Sequence, residues 1–150
     1  METLQATRPT IHQDFGRVVI GIAGIMHVAV GALLLLAPYS YFMLLEHYPP
    51  YNRHDAGDLG AFQLSLGLGL LLAAREPMRY RLVVLMAAVA NLLHAFNHIY
   101  DGLIMPATPV YWIADVGPLA VAAVALMVVY LRLGQPERFE PSRRRPPSHL

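Results

Sequence analysis

The sequence predicts an all-α fold, an antiparallel four-helix transmembrane bundle. Three observations predict it. The composition is 56% hydrophobic and only 14% charged, with a mean hydropathy of +0.44, whereas ordinary soluble domains carry about 25% charged residues. The apolar residues gather into four runs of the length a bilayer span needs, roughly 20 residues. When the chain is threaded back and forth through these runs, ten of its eleven arginines fall on one side.

The chain has 150 residues, which suits one domain. It has no cysteine, so disulfides, thiolate metal sites and a cysteine nucleophile are excluded. The net charge is +1 and the arginines flank the spans, a pattern that points to lipid and not to nucleic acid. All eleven basic residues are arginine.

Taken in order, residues 1–15 read as a polar tail. The first span covers about 17–37; its Val18–Ala37 stretch is uncharged, with His27 near its middle and Pro38 at its end. This run is longer than the apolar region of a signal peptide and starts after Arg17. Residues 38–57 form a loop rich in Tyr and Pro, suited to the membrane–water boundary, with Tyr41–Tyr48 as a candidate interfacial helix. The cluster Arg53-His54-Asp55-Ala56-Gly57-Asp58 follows, and Asp55 or Asp58 is expected to cap the second span, about 58–74. Within that span Ser65, Gly69 and Ala73 recur every fourth residue, an expected close-packing face.

A tight connection, Arg75 to Arg81, leads to the third span, about 81–100. Asp101, Gly102, Pro106 and Pro109 mark a second turn-rich loop. The fourth span, about 110–131, carries Asp115 near its start. Residues 132–150 form a Pro- and Arg-rich tail. The arginine asymmetry places both termini in the cytoplasm of a bacterial inner membrane and the loops 38–57 and 101–109 on the opposite face. Arg143-Arg144-Arg145 reads either as an ordinary cytoplasmic retention signal or as a contact for anionic lipid.

The candidate site is on the third span. Asn91, His94, His98 and Asp101 fall on one helical stripe, and ionisable groups within a span usually face the bundle interior and serve function. His94 lies about 9 Å below Tyr100, and His27 about 15 Å below Pro38, at the helical rise per residue. His54, Asp58, Asp101 and Asp115 lie near the outer face. Together these groups form a funnel that stops near mid-membrane, which argues against an ion conduit.

Histidine and carboxylate suit a divalent transition metal, Zn, Fe, Mn or Cu. In that reading His94, His98, Asp58 and Asp115 are the ligands. His27, His54, Asn91 and Asp101 are additional or supporting groups, with Asn91 hydrogen-bonding a ligand from behind. The alternative is a His–Asp–Asn network that ties the helices together without metal. Haem fits less well, because His94 and His98 lie on one side of one helix; it would need His27 opposite His94, or a single axial histidine. Asp58 and Asp115 also have an ordinary reading as acidic residues at helix N-termini.

Two functions follow. The first is a metal-binding membrane protein acting on a lipid-soluble substrate, or holding a metal as an accessory subunit. The second is a non-catalytic bundle that binds lipid or a small lipophilic molecule, or joins a larger membrane complex or a homo-oligomer. In size, span number and the Gly-rich stretch Gly60-Ala61-Phe62-Gln63-Leu64-Ser65-Leu66-Gly67-Leu68-Gly69, the chain resembles the small four-span bacterial membrane proteins of the DoxX-like type. That resemblance implies the bundle fold and carries no catalytic motif onto this chain.

Overall fold

The computed structural model describes residues 11–45 and 50–134, with side chains from Asp14 onward. The tails, with Arg8, Arg138 and Arg143-Arg144-Arg145, and the loop residue His47 lie outside the described residues. The elements in order are α1 (Ile11–Leu36), α2 (Pro38–Leu44), α3 (Arg53–Arg75), α4 (Arg81–Ile104), α5 (Pro109–Tyr111), a π-helical turn (Trp112–Val116) and α6 (Gly117–Leu133). No strand occurs among the described residues. Four segments are long and apolar enough to cross a membrane: Asp14–Leu36, Arg53–Arg75, Arg81–Ile104 and Pro109–Leu133. Large apolar side chains cover their outer faces, among them Ile22, Ile25, Phe62, Leu82, Leu93 and Val121. An exposed apolar surface of this extent requires lipid around it, and the chain is a multi-pass membrane protein.

Each helix runs past its apolar stretch. Helix α1 reaches back to Ile11, into the stretch read as a tail, where Arg17 pairs with Asp14 at 3.7 Å. Helix α3 starts five residues before Asp58. Its cap is Asn52, not Asp55 or Asp58: Asn52 Oδ1 accepts from the His54 N–H at 3.0 Å, and Asn52 Nδ2 donates to Asp55 at 2.6 Å. An amide oxygen at this position satisfies an N–H that the helix leaves unpaired. The interfacial helix forms earlier than expected, with Pro38 in its first turn, where a missing N–H costs nothing. Tyr39 and Phe42 pack on Tyr51 with ring centroids 5.4 and 5.3 Å apart, tying α2 to the start of α3.

The fourth span is broken by Pro118. Proline lacks the N–H for its helical bond and crowds the carbonyl four residues back. The chain answers with a wide turn, in which the Gly117 N–H reaches the Trp112 carbonyl, five residues earlier.

Helix α1 packs chiefly on α3, and α4 on α6; contact between the two pairs is sparser. The α1–α3 approach depends on glycines spaced seven apart on both helices. Gly31 faces Leu64 and Gly60, and Gly67 faces Val28 and Gly24. The expected face of Ser65, Gly69 and Ala73 packs in part: Ala73 is buried in the core, while the closest backbone approach lies elsewhere on α3. Ser65 is exposed and donates to the Ala61 carbonyl at 2.8 Å, while Gly69 lies under Val83 of α4.

The apolar core sits at one end of the bundle. Ile20, Leu70, Ala73, Val84, Ala87, Ala88, Leu126 and Val129 close it near the 75–80 connection, the first turns of α1 and the last turns of α6. Polar side chains occupy the seam above this plug.

Candidate functional site

Three polar side chains from three helices meet at the top of the apolar core. His27 of α1 hydrogen-bonds Gln63 of α3 through Nδ1. Its other nitrogen, Nε2, lies 3.1 Å from Asn91 Nδ2 of α4, and the same Nδ2 donates to the Ala87 carbonyl at 2.9 Å. An amide nitrogen only donates, so Asn91 fixes the His27 tautomer. His27 Nε2 is the acceptor, and Nδ1–H donates to Gln63 Oε1. Asn91 is 3% exposed.

A second chain lies one turn higher. Tyr111 donates its O–H to the His98 carbonyl at 2.5 Å. Its oxygen is 3.4 Å from His98 Nδ1, and His98 Nε2 is 3.1 Å from His94 Nε2. One ring donates to the other across the two Nε2 atoms. Gly102 makes this possible, since a Cβ there would come within 2.7 Å of the Tyr111 ring and 2.9 Å of Trp112. Tyr111→Phe removes the O–H and is expected to lower stability by about 0.5–1.5 kcal/mol, read as a shift in the unfolding midpoint of detergent-solubilised protein. An unchanged midpoint would show that the contact contributes nothing.

Between the two chains lies a cavity of about 130 Å3, lined by His27, Leu59, Phe62, Gln63, Leu66, Ala90, Asn91 and His94. It opens sideways between α3 and α4, where Phe62 is 75% exposed on the lipid-facing surface. Among the described residues every sealed side-chain nitrogen and oxygen has a hydrogen-bond partner. Gln63 Nε2 and Asn91 Oδ1 have no partner among the described residues, so both open onto accessible space, and the cavity is the space these residues share. The site therefore offers a donor, Gln63 Nε2, an acceptor, Asn91 Oδ1, and the edge of the His94 imidazole.

The stripe on α4 is real as a helical face, and its members divide their work. Asn91 turns to His27, His94 and His98 to each other, and Asp101 accepts from Asn97 at 3.3 Å. The carboxylates expected beside the histidines do not gather there. Among the described residues no three His, Asp or Glu side chains are grouped closely enough to hold a metal ion, so neither Asp58 nor Asp115 completes a group with His94 and His98. Asp58 lies on the exposed first turns of α3, 3.6 Å from His54. Asp115 falls in the π-helical turn, which alters its angular position relative to a regular helix.

Two contributors were not expected, Gln63 and Tyr111. Gln63 is the one amide in the apolar run 59–74, a signal that attention to ionisable groups passes over. Comparison with protein families, with characterised proteins and with solved structures finds no match to this chain.

Proposed function

We propose that the protein binds the ring-sized polar head of a lipid-soluble molecule, which enters sideways from the bilayer between α3 and α4. One observation carries this reading: a lipid-facing cavity at the top of the apolar core, lined by an amide donor, an amide acceptor and an imidazole. A volume of about 130 Å3 is close to that of apolar cavities that hold one benzene ring, about 150 Å3. The apolar tail of such a ligand would remain in the bilayer beside Phe62. A hydroxyl both donates and accepts, so a phenol or hydroquinone head matches the Asn91 Oδ1 acceptor and the Gln63 Nε2 donor. The His94 imidazole lines the same cavity. On the arginine distribution we place the chain in a bacterial inner membrane with both termini cytoplasmic, so that the cavity lies in the periplasmic half.

The test is mass spectrometry of organic extracts from detergent-purified protein, beside a Gln63→Leu variant prepared identically. A ring-bearing amphiphile near one per chain in the wild type, and depleted at least tenfold in the variant, is the expected result; a tenfold loss corresponds to about 1.4 kcal/mol. Bulk phospholipid alone in both samples would sink the reading.

A second reading rests on the His94–His98 pair. Two Nε2 atoms 3.1 Å apart lie close to the separation they would have when both bind one ion at about 2.0 Å. Such an ion, Zn, Fe, Mn or Cu, would need its remaining ligands from outside this pair. Elemental analysis of the wild type beside His94→Ala/His98→Ala separates the readings. Near-stoichiometric metal lost in the variant would favour the metal; none after attempted reloading would remove it.

A further inference from the structure

The opposite end of the bundle holds a second cavity, of about 270 Å3, lined by Arg17, Arg75, Glu76, Pro77, Met78, Arg79 and Leu133. Three arginines face one glutamate across it. They come from the start of α1, the end of α3 and the 75–80 connection, beside the ends of the apolar segments. We propose that this cavity binds the phosphate of an anionic phospholipid, with the glycerol and the first chain carbons against Met78 and Leu133.

The arginines are available for such a ligand. Arg17 pairs with Asp14 at 3.7 Å and Arg79 with Glu76 at 3.4 Å, both within one helical turn or loop and largely exposed to solvent. Exposed pairs of this kind hold weakly and exchange readily for a better acceptor. Arg75 makes no ion pair or hydrogen bond among the described residues. Arg81, by contrast, is held elsewhere, with its guanidinium 5.1 Å above the Tyr130 ring and Nη2 3.3 Å from the Tyr130 hydroxyl. Guanidinium forks match a phosphate diester, with parallel N–H groups on its two free oxygens. Met78 is 56% exposed, an apolar edge at headgroup depth that a free anion would not use and a lipid would. The nearby core is closed by Ile20, Leu70 and Val129, so the cavity does not lead into the seam and is separate from the His27–Gln63–Asn91 site.

The experiment is native mass spectrometry of the full chain released from detergent containing equal phosphatidylglycerol and phosphatidylcholine, with inorganic phosphate tested separately. The expected result is retention of phosphatidylglycerol over phosphatidylcholine by roughly tenfold, on the scale of attraction that one or two arginines supply at an anionic surface. Arg75→Gln/Arg79→Gln is expected to abolish the preference, and Arg53→Gln, at the other end of the bundle, to leave it intact. The single Arg75→Gln change removes an exposed side chain without a partner among the described residues, so it tests the site should the double variant fold poorly; it is expected to weaken the preference by severalfold. Equal retention of the two lipids, or a preference that survives these variants, would overturn the proposal. Inorganic phosphate displacing phosphatidylglycerol at equal concentration would assign the site to a free anion and would overturn it as a lipid site.

Discussion

Gly31→Ala is expected to cost about 1–3 kcal/mol of stability, the usual scale for adding atoms to a filled interior, and Gly31→Leu to leave no folded protein in the membrane. A Cβ on Gly31 would stand 2.4 Å from the Leu64 backbone nitrogen, 2.8 Å from the Leu64 Cα and 2.9 Å from the Gly60 carbonyl oxygen. Every one of these atoms is backbone. No rotamer change relieves the contact, so α1 and α3 must separate along their length. Separation would loosen the Gly67 contact as well, where a Cβ would lie 2.6 Å from the Val28 nitrogen. Lipid gives helices no hydrophobic reason to associate, so close backbone packing is a main source of their affinity.

The control is Gly57→Ala. There the nearest atom to an added Cβ is the tip of Arg53, 3.7 Å away. This change is expected to be neutral or to stabilise by up to about 1 kcal/mol through helix propensity. Unfolding in a denaturing detergent reads both. If Gly31→Ala were as stable as the wild type, the α1–α3 interface would not be close-packed through its backbone at Gly31.

The contrast between these glycines shows which features could be read from residues alone. The four spans were legible because twenty apolar residues make a summed signal that no single substitution disturbs. Their ends were not, because Asn52 caps a helix whose first turns are polar, and hydropathy cannot see a helix continuing through Arg53-His54-Asp55. The tight helix face was sought at a four-residue spacing, at Ser65, Gly69 and Ala73. It lies instead on pairs seven apart, Gly24 with Gly31 and Gly60 with Gly67. That pattern appears only when two helices are compared with each other.

At the site, the stripe of Asn91, His94 and His98 followed from helical periodicity. Its partners depended on how four helices rotate against one another, which one helix's pattern does not encode. Gln63 and Tyr111 therefore entered, and Asp58 and Asp115 did not. The wide turn forced by Pro118 contributes here, because it changes which side chains the start of the fourth span turns toward α4.

The His27–Gln63–Asn91 chain makes a sharper prediction than any of its members. Asn91→Leu removes the donor to His27 Nε2 and the bond to the Ala87 carbonyl, leaving an imidazole acceptor facing an apolar wall. The expected loss is about 1–3 kcal/mol, the cost of an unsatisfied buried polar group. Measured side-chain hydrogen bonds between membrane helices average lower, about 0.6 kcal/mol with a maximum near 1.7, so the lower part of that range is expected if water or another side chain reaches His27. His27→Phe removes the other partner and both bonds of the imidazole. The two changes together are expected to cost less than their sum, with a coupling of about 0.5–1.5 kcal/mol, because the second substitution finds its bond already broken. Gln63→Leu in the Asn91→Leu background should show a smaller coupling, since Gln63 touches Asn91 only through the His27 ring. Strict additivity of Asn91→Leu and His27→Phe would mean that the two side chains do not share a hydrogen bond. The relay that holds Gln63 Nε2 and Asn91 Oδ1 toward the cavity would then be lost as an explanation, and the binding site with it. Additivity restricted to the Gln63 pair would leave the relay in place and show only that Gln63 is free to turn its amide toward a ligand.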